Sequence, residues 1–464
     1  MTLRKSTSPD SNRAYCEKDQ QPLTTSLCSL ATTLLFLCAA TAKANAGETQ
    51  TFIITRLNSA QPLITESMFD ALGAPDDEGN NINGPSVIRI PDWIRPENRA
   101  DPNAVYYMYF AHHQGNYIRL AWAAHIEGPW QLYRVGSGVP VGSRGALDLG
   151  SSDKIYLGNG ITIQNHIASP DVFVDDKNQR IIMSFHAGET KVNGTSLGQK
   201  SLVTKSNYGL DFHDGIEPVI LGRFYFRVFR YDGNLYATSN SGFLFKAPDP
   251  NNPWKPPNGF DFRNDLWTQR PDSPFQNNID DANFSAVPDR PLRVRHSAMR
   301  LVDDTAQVFY TRIGDCPERI MMSTIDLKIG DYELWDSSFP PREILQAQPH
   351  WEGGDITPAN SEGSTAPENV NQLRDPYIFE DADGKLYLFY CGRGEDAIGA
   401  ALLRPVALGH LDLDTDTDLA DLALFAEHWL ETGCGTCAAA DLTGNGKVTL
   451  NDLQNFTTHW LSDH

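Results

Sequence analysis

Three groups of residues in this sequence carry chemistry that a functional site needs. The first is carboxylates at the starts of apolar segments. Asp171 stands in Ser169-Pro170-Asp171 and Asp375 in Arg374-Asp375-Pro376, while Asp92 follows Gly84-Pro-Ser-Val-Ile-Arg-Ile90. Carboxyl groups placed in unlike surroundings can divide into a general acid and a general base. The second group is His112, His113, His166, His186 and His296, with Tyr225 and the guanidinium groups of Arg227, Arg230, Arg312 and Arg374. Imidazoles move protons near neutral pH, and guanidiniums grip carboxylates or sulfates in two-point geometry. The third lies near the C-terminus, where oxygen-bearing side chains alternate: Asp412, Asp414, Asp416, Asp418 and Asp421, then Asp441, Thr443, Asn445, Lys447, Thr449 and Asp452. A loop that curls around an ion turns every second side chain inward, and hard oxygen ligands so spaced suit calcium.

The elements that position the first two groups are strands. From about residue 50 to 405, apolar and polar residues alternate with period two and no long helical pattern occurs. One unit recurs five times: a short strand, often after an x-Pro step, then a turn of Asp, Asn or Gly, then an aromatic strand. Examples are Ser169-Pro-Asp-Val-Phe-Val174 with Arg180-Ile-Ile-Met-Ser-Phe185, and Asp375-Pro-Tyr-Ile-Phe379 with Lys385-Leu-Tyr-Leu-Phe-Tyr390. Repeats of this size bury their faces against one another when arranged radially. The reading is an all-β chain: a five-bladed β-propeller over 47–405, with Thr51-Phe-Ile-Ile-Thr55 closing the ring in the last blade. Strand ends then converge on one central funnel. An acidic protein with a basic funnel points to an anionic sugar.

The last segment reads differently. Leu419-Ala-Asp-Leu-Ala-Leu-Phe-Ala-Glu-His-Trp-Leu430 recurs as Leu450-Asn-Asp-Leu-Gln-Asn-Phe-Thr-Thr-His-Trp-Leu461, each following one of the acidic loops. Two tandem loops, each leading into one amphipathic helix, resemble a type I dockerin over 408–464. Gly446 takes the sharp turn of the second loop; His410, Thr415 and Thr443 depart from the ligand pattern. The resemblance implies structural calcium, no organic cofactor, and a cohesin-like protein partner.

Gly128-Pro129-Trp130, Ser169-Pro170-Asp171 and Arg374-Asp375-Pro376 make the middle of the chain look like the five-bladed glycosidases of glycoside hydrolase families 43, 32 and 117. The resemblance implies carboxylates at the starts of the innermost strands, one protonating the leaving oxygen and one activating water or attacking. The family 43 base position is Gly84 here, and the acids of the third and fourth blades fall near Tyr225 and His296. Asp171, Asp375 and Asp92 remain as catalytic candidates. Family 117 enzymes are similar in using a His as acid candidate, which points to His296. The histidines, Tyr225 and the arginines are then substrate contacts. Two alternatives to a hydrolase stand beside this: a lyase of ulvan-lyase type using His, Tyr and Arg, and a non-catalytic carbohydrate-binding propeller.

Composition bounds these readings. The 464 residues are 40% hydrophobic and 21% charged, enough for a sizeable core. With 38 basic and 59 acidic residues the formal charge is −21, which argues against a nucleic-acid partner. Leu27 to Ala42 is apolar, is preceded by Arg4, Lys5, Arg13 and Lys18, and is followed by Ala44-Asn45-Ala46. This reads as a secretory signal peptide over 1–46, cleaved after Ala46, with a secreted or periplasmic product and no membrane span thereafter. Cys434-Gly-Thr-Cys437 reads as a local disulfide or a pair of free thiols rather than half of a zinc site.

Overall fold

A computed structural model of the chain describes residues 50–75, 77–150, 154–275, 293–363, 365–367, 369–412 and 417–460. The expected signal peptide lies outside them, as do Asp414 and Asp416. Five antiparallel sheets form the bulk of the molecule, and they are the five blades of a β-propeller. Their innermost strands are Asn83–Arg89, Ile161–Asp175, Arg227–Tyr231, Arg293–Val302 and Arg374–Glu380. Within a blade the strands run outward in chain order, joined by hairpins. Blade two adds Lys154–Gly158, paired with Ile161–Asp175 on the side away from the other strands, and blade five is the second exception. Its outermost strand is Gln50–Arg56, paired with Ala397–Ala407 in continuous register from Gln50↔Ala407 to Arg56↔Ala401. The ring therefore closes through the strand expected from the sequence.

The aromatic strands explain why blades stack. Twisted sheets set side by side leave wedge-shaped gaps, and large side chains fill them. Tyr107, Tyr109 and Phe185 pack between blades one and two. Phe226, Phe245 and Trp267 lie between two and three, and Tyr236, Tyr310 and Trp335 between three and four. Phe52, Phe309 and Tyr390 lie between four and five, and Phe110, Trp130 and Phe389 between five and one. Each fully buried ring contributes roughly 2–3 kcal/mol from removal of apolar surface.

The x-Pro steps shape the channel mouth. Proline cannot donate to a strand ladder, so pairing breaks where it occurs. Register shifts sit between Asn83 and Ser86, opposite Ser169-Pro170, and between Arg374 and Tyr377. The residue before each proline is left-handed: Gly84 at φ 61, Ser169 at φ 50 and Asp375 at φ 50. Tyr225 holds the same conformation at φ 65 just ahead of the third inner strand. A shift between Val294 and Ser297 places His296 in the matching bulge of blade four. Non-glycine residues held in this region are strained, and such strain collects at functional sites.

The inner strands run from this mouth toward the opposite face. Two expected site residues lie at that far end. Asp92 is exposed on the turn beyond the first inner strand, beside Trp93, whose Nε1 donates to Asp176 at 2.9 Å. Arg230 is exposed near the end of the third inner strand, with Nη1 3.5 Å from the Gly233 carbonyl. Neither reaches the channel mouth, because only strand starts do.

Residues 408–460 form the C-terminal segment, with helices Leu419–Glu427 and Leu450–His459. Phe425 and Phe456 stack across its core with ring centroids 5.4 Å apart. Ile53 of the closing strand and Val406 join that core. The segment also rests on the outer strand of blade four: Arg342 Nη1 donates to the Leu442 carbonyl at 2.8 Å, and Glu343 N to Gly444 O at 2.8 Å. Cys434 and Cys437 are joined as a disulfide. No helix among the described residues is long and apolar enough to cross a membrane.

Candidate active site

Two carboxylate–imidazole pairs converge on Tyr225 at the channel mouth. In the first, Asp375 accepts from His296 Nδ1 and, on its other oxygen, from the Gly84 backbone N–H at 3.2 Å. His296 Nε2 has no partner among the described residues. In the second, His113 Nδ1 donates to Glu395 Oε2 at 2.7 Å, and His113 Nε2 lies 3.2 Å from the Tyr225 hydroxyl. The Tyr225 ring packs edge-on against His296, with centroids 4.1 Å apart, and against His186 at 4.8 Å.

The two pairs differ in charge, and the surroundings explain why. Burial opposes the His113 imidazolium, but Glu395 outweighs it and holds the pKa above the ordinary value. Glu395 is itself kept well below the usual carboxylate range. Burial works against its charge, but His113, Arg374 at 3.0 Å and Asn81 Nδ2 at 2.6 Å favour the ion. His296 goes the other way: burial pushes its pKa down despite Asp375. Asp375 is lowered, His296 outweighing its burial. Burial, with the charges of Asp375 and Glu395, raises the Tyr225 phenol, which stays protonated.

The guanidinium groups nearby are neutralised. Arg374 meets Glu318 at 3.2 Å as well as Glu395, and Arg295 Nε donates to Glu318 at 2.8 Å. Arg312 is held by Asp315 at 2.9 Å. The funnel is thus charge-balanced among the described residues, not basic. Glu318 and Glu395 supply the missing negative charge. Both come from hairpin loops after the second strands of blades four and five, not from the strand starts where the sequence pattern places acids. The run Arg393-Gly394-Glu395 after an aromatic strand was the available signal.

Asp171 lies one layer below the mouth. Its Oδ2 accepts the Val228 N–H at 2.7 Å and its Oδ1 is 3.7 Å from Arg227 Nη1. Arg227 also donates to Pro170 O at 2.6 Å and Ser297 O at 3.2 Å. Ser86 accepts from Val172 N at 2.9 Å, and Tyr377 donates to Val87 O at 3.2 Å. Residues two positions after each bulge thereby tie neighbouring inner strands together. Burial raises the Asp171 pKa despite Arg227. Its partners make it a strut between blades two and three.

The remaining histidines flank this core. His166 packs edge-on against His186 at 5.4 Å, over Gly188, where a Cβ would meet His166 Nδ1 at 2.5 Å. Both His186 ring nitrogens are buried without a partner among the described residues, and burial pushes its pKa well down. Burial lowers His166 and His112 to about 4. His112 stands outside the channel, lining a neighbouring cavity.

In the C-terminal loops, the donors fit a divalent cation. Asp441 and Asp452 are buried close together, and burial with the charge of Asp452 pushes Asp441 up to about 7. A cation would relieve that repulsion. Thr443 Oγ1 bridges the two carboxylates at 3.2 and 2.8 Å, and Thr449 Oγ1 donates to Asp452 at 2.9 Å. The Lys447 N–H donates to Asn445 Oδ1 at 3.0 Å, shaping the turn. In the first loop, ligand atoms of Asp412, Asp418 and Asp421 lie within 4.8 Å of one another.

No protein-family profile matches the chain. It is 29% identical over 334 residues to an uncharacterized protein of Acanthamoeba polyphaga mimivirus, covering 70% of this chain and 85% of that protein. Among solved structures it is similar to a thermostable family-43 glycoside hydrolase, with TM-score 0.39 and 14% identity, covering 74% of this chain and 92% of that one. An alpha-L-arabinofuranosidase from Lactobacillus brevis gives TM-score 0.41 and 13% identity, with 75% and 92% covered.

Proposed function

We propose that the protein hydrolyses glycosidic bonds between neutral sugars at the channel mouth. The observation that carries this is the convergence of two carboxylate–imidazole pairs on one tyrosine, Glu395 raising the pKa of His113 while burial lowers that of His296. Hydrolysis needs a proton donor for the leaving oxygen and a base for water, held in one site with separated pKa values. His113, charged, donates through Nε2 to the Tyr225 oxygen, and the Tyr225 hydroxyl proton passes to the leaving oxygen as the C–O bond breaks. His296 Nε2 takes a proton from the water whose oxygen forms the new bond, and Asp375 stabilises the imidazolium. Arg374 and Asn81 fix Glu395 and so fix His113.

Two observations weigh against a uronate lyase. Such a reaction needs an uncompensated cation for the substrate carboxylate, and Arg227, Arg295, Arg312 and Arg374 around the mouth each face a carboxylate. A phenol raised in pKa is also a poor base. The test is a panel of neutral and uronate-bearing polysaccharides, read by reducing ends and ultraviolet absorbance together. Reducing ends without absorbance, abolished by His296→Ala, support hydrolysis. Absorbance marks elimination, and neither signal on any polymer leaves a binding protein.

The C-terminal segment is read as a dockerin-like docking module. In it Asp441, Asp452, Asp412, Asp418 and Asp421 would hold calcium, which supplies structural cross-linking of the loops. A cohesin-like partner and export through the N-terminal segment belong to the same proposal.

A further inference from the structure

Beside the channel mouth, between blades five and one, lies a cavity of about 490 Å³. Its walls come from five places: the helix Glu66–Asp70, the loop before the first inner strand, the turn at His112 and Gln114, the loop holding Asn369, and the hairpin at Glu395 and Asp396. We propose that this cavity is the subsite for a second, uncharged sugar residue, so that the substrate is a neutral oligosaccharide or polysaccharide chain. This rests on the hydrolase reading above, with the catalytic channel taking the adjoining residue.

Three observations carry it. The first is continuity. Glu395 lines the cavity and also holds His113, and Asn81 lines it while donating to Glu395 at 2.6 Å and accepting from the His113 N–H at 2.8 Å. A chain that places one residue at Tyr225 therefore meets this wall next.

The second is charge. No lysine or arginine is among the lining residues, whereas Glu66, Glu395 and Asp396 are. A uronate or sulfated residue entering here meets a wall whose charged lining residues are all carboxylates, the cations paired with Glu395 and Asp396 standing behind them, which costs affinity. Hydroxyl groups of a neutral sugar can donate to those same carboxylates.

The third is the donor set. His112 Nδ1 accepts the Gln114 backbone N–H at 2.8 Å, so its ring proton sits on Nε2 and is available to donate. Burial and the nearby Arg119 keep this imidazole uncharged, with its pKa lowered to about 4. Asn369 Oδ1 accepts from Arg393 Nε at 2.8 Å, which orients its amide and leaves two N–H donors. With the exposed amide side chains of Gln114 and Asn80, these offer donors and acceptors in the mixture that a polyhydroxyl ring requires.

The experiment is calorimetric titration of the full chain carrying His296→Ala, which blocks turnover. Probes are xylotetraose, arabinotetraose and galactotetraose, the corresponding monosaccharides, and tetragalacturonate. At least one neutral tetramer is expected to bind about tenfold or more tighter than its monomer, and the acidic tetramer more weakly. Gln114→Ala and Asn369→Ala should each lower the tetramer-to-monomer affinity ratio about fivefold, the loss of one or two hydrogen bonds. Ala366→Trp, which fills the cavity, should abolish the ratio. An unchanged ratio in both alanine variants, an acidic tetramer bound as tightly as the neutral ones, or no binding by any tetramer overturns the proposal. Retained, cavity-dependent binding by a wild-type protein that releases no reducing ends would instead refute hydrolysis and leave the subsite standing.

Discussion

Glu395→Gln separates the electrostatics of the site from its shape. The carboxylate is 2% exposed and meets His113 at 2.7 Å, Arg374 at 3.0 Å and Asn81 at 2.6 Å. Breaking a buried ion pair by removing one partner costs about 3–5 kcal/mol. Here Arg374 keeps Glu318 at 3.2 Å, and the new amide oxygen can still accept from Asn81, so the loss should sit near the lower end, about 3 kcal/mol. The pH dependence is the sharper test. In the wild type His113 is raised on folding, so its contribution is fully present below the unfolded pKa of about 6.5 and is lost as pH rises through the higher folded value. In the variant only burial acts strongly on His113, its folded pKa drops below the unfolded one, and its effect on stability reverses. The stability gap between the two proteins should therefore widen as pH falls from about 8 to about 5. Urea unfolding across that range measures it, with imidazole proton resonances reporting His113 directly. A gap that stays constant with pH would refute the assignment of His113 as a cation held by Glu395.

Four further outcomes follow from the geometry. Asp375→Asn should cut turnover by about 10²–10⁴-fold with the fold intact, whereas Asp171→Asn should lower the unfolding midpoint more than the turnover, since its partners lie between blades; steady-state kinetics beside thermal melts distinguish them. Phe52→Ala, in the ring-closing strand, should cost about 3–5 kcal/mol in denaturant unfolding, because its fully buried ring packs 5.7 Å from Phe309. His186, His296, His166 and His112 are all lowered, so their contributions to stability should fade as pH drops below about 6.5; His186→Phe should reduce that slope by up to about 1.4 kcal/mol per pH unit in an acid-unfolding series. Calcium should raise the melting temperature of the full chain more at pH 7.5 than at pH 5.5, since a proton on Asp441, with a pKa of about 7, competes with the ion; scanning calorimetry on Asp441→Asn should show a smaller increment that no longer depends on this proton.

The fold was legible because its causes are local and repeated. Alternating aromatic strands announce blades, and x-Pro steps mark where they begin, so Asp375 and His296 were expected at the starts of innermost strands, where the structure places bulges. Ring closure was expected from the early strand Thr51–Thr55, and Gln50–Arg56 closes the last blade. The site was read less completely because it depends on loops. Glu395 and Glu318 sit on hairpins whose aim is set by tertiary packing, and no period in the sequence points to them. Their carboxylates turn a funnel read as basic into one with balanced charge, and with it the anionic-sugar expectation into a neutral one. Asp92 follows the first inner strand and Arg230 lies near the end of the third, both away from the mouth, because only strand starts reach it. Asp171 misled by two residues: period two keeps it facing the channel, yet one layer down, where it binds Val228 and Arg227 instead of the mouth.

The dependence of kcat/KM on pH, measured on whichever neutral glycan yields reducing ends, tests the division of roles most directly. A bell-shaped profile is expected. Its acid limb lies below about 6.5, where His296 gains a proton, and its alkaline limb above about 6.5, where His113 loses one; Glu395→Gln should remove the plateau between them. A profile without an alkaline limb, or one whose limbs are unmoved by Glu395→Gln, would contradict the claim that two oppositely protonated carboxylate–imidazole pairs run the chemistry around Tyr225.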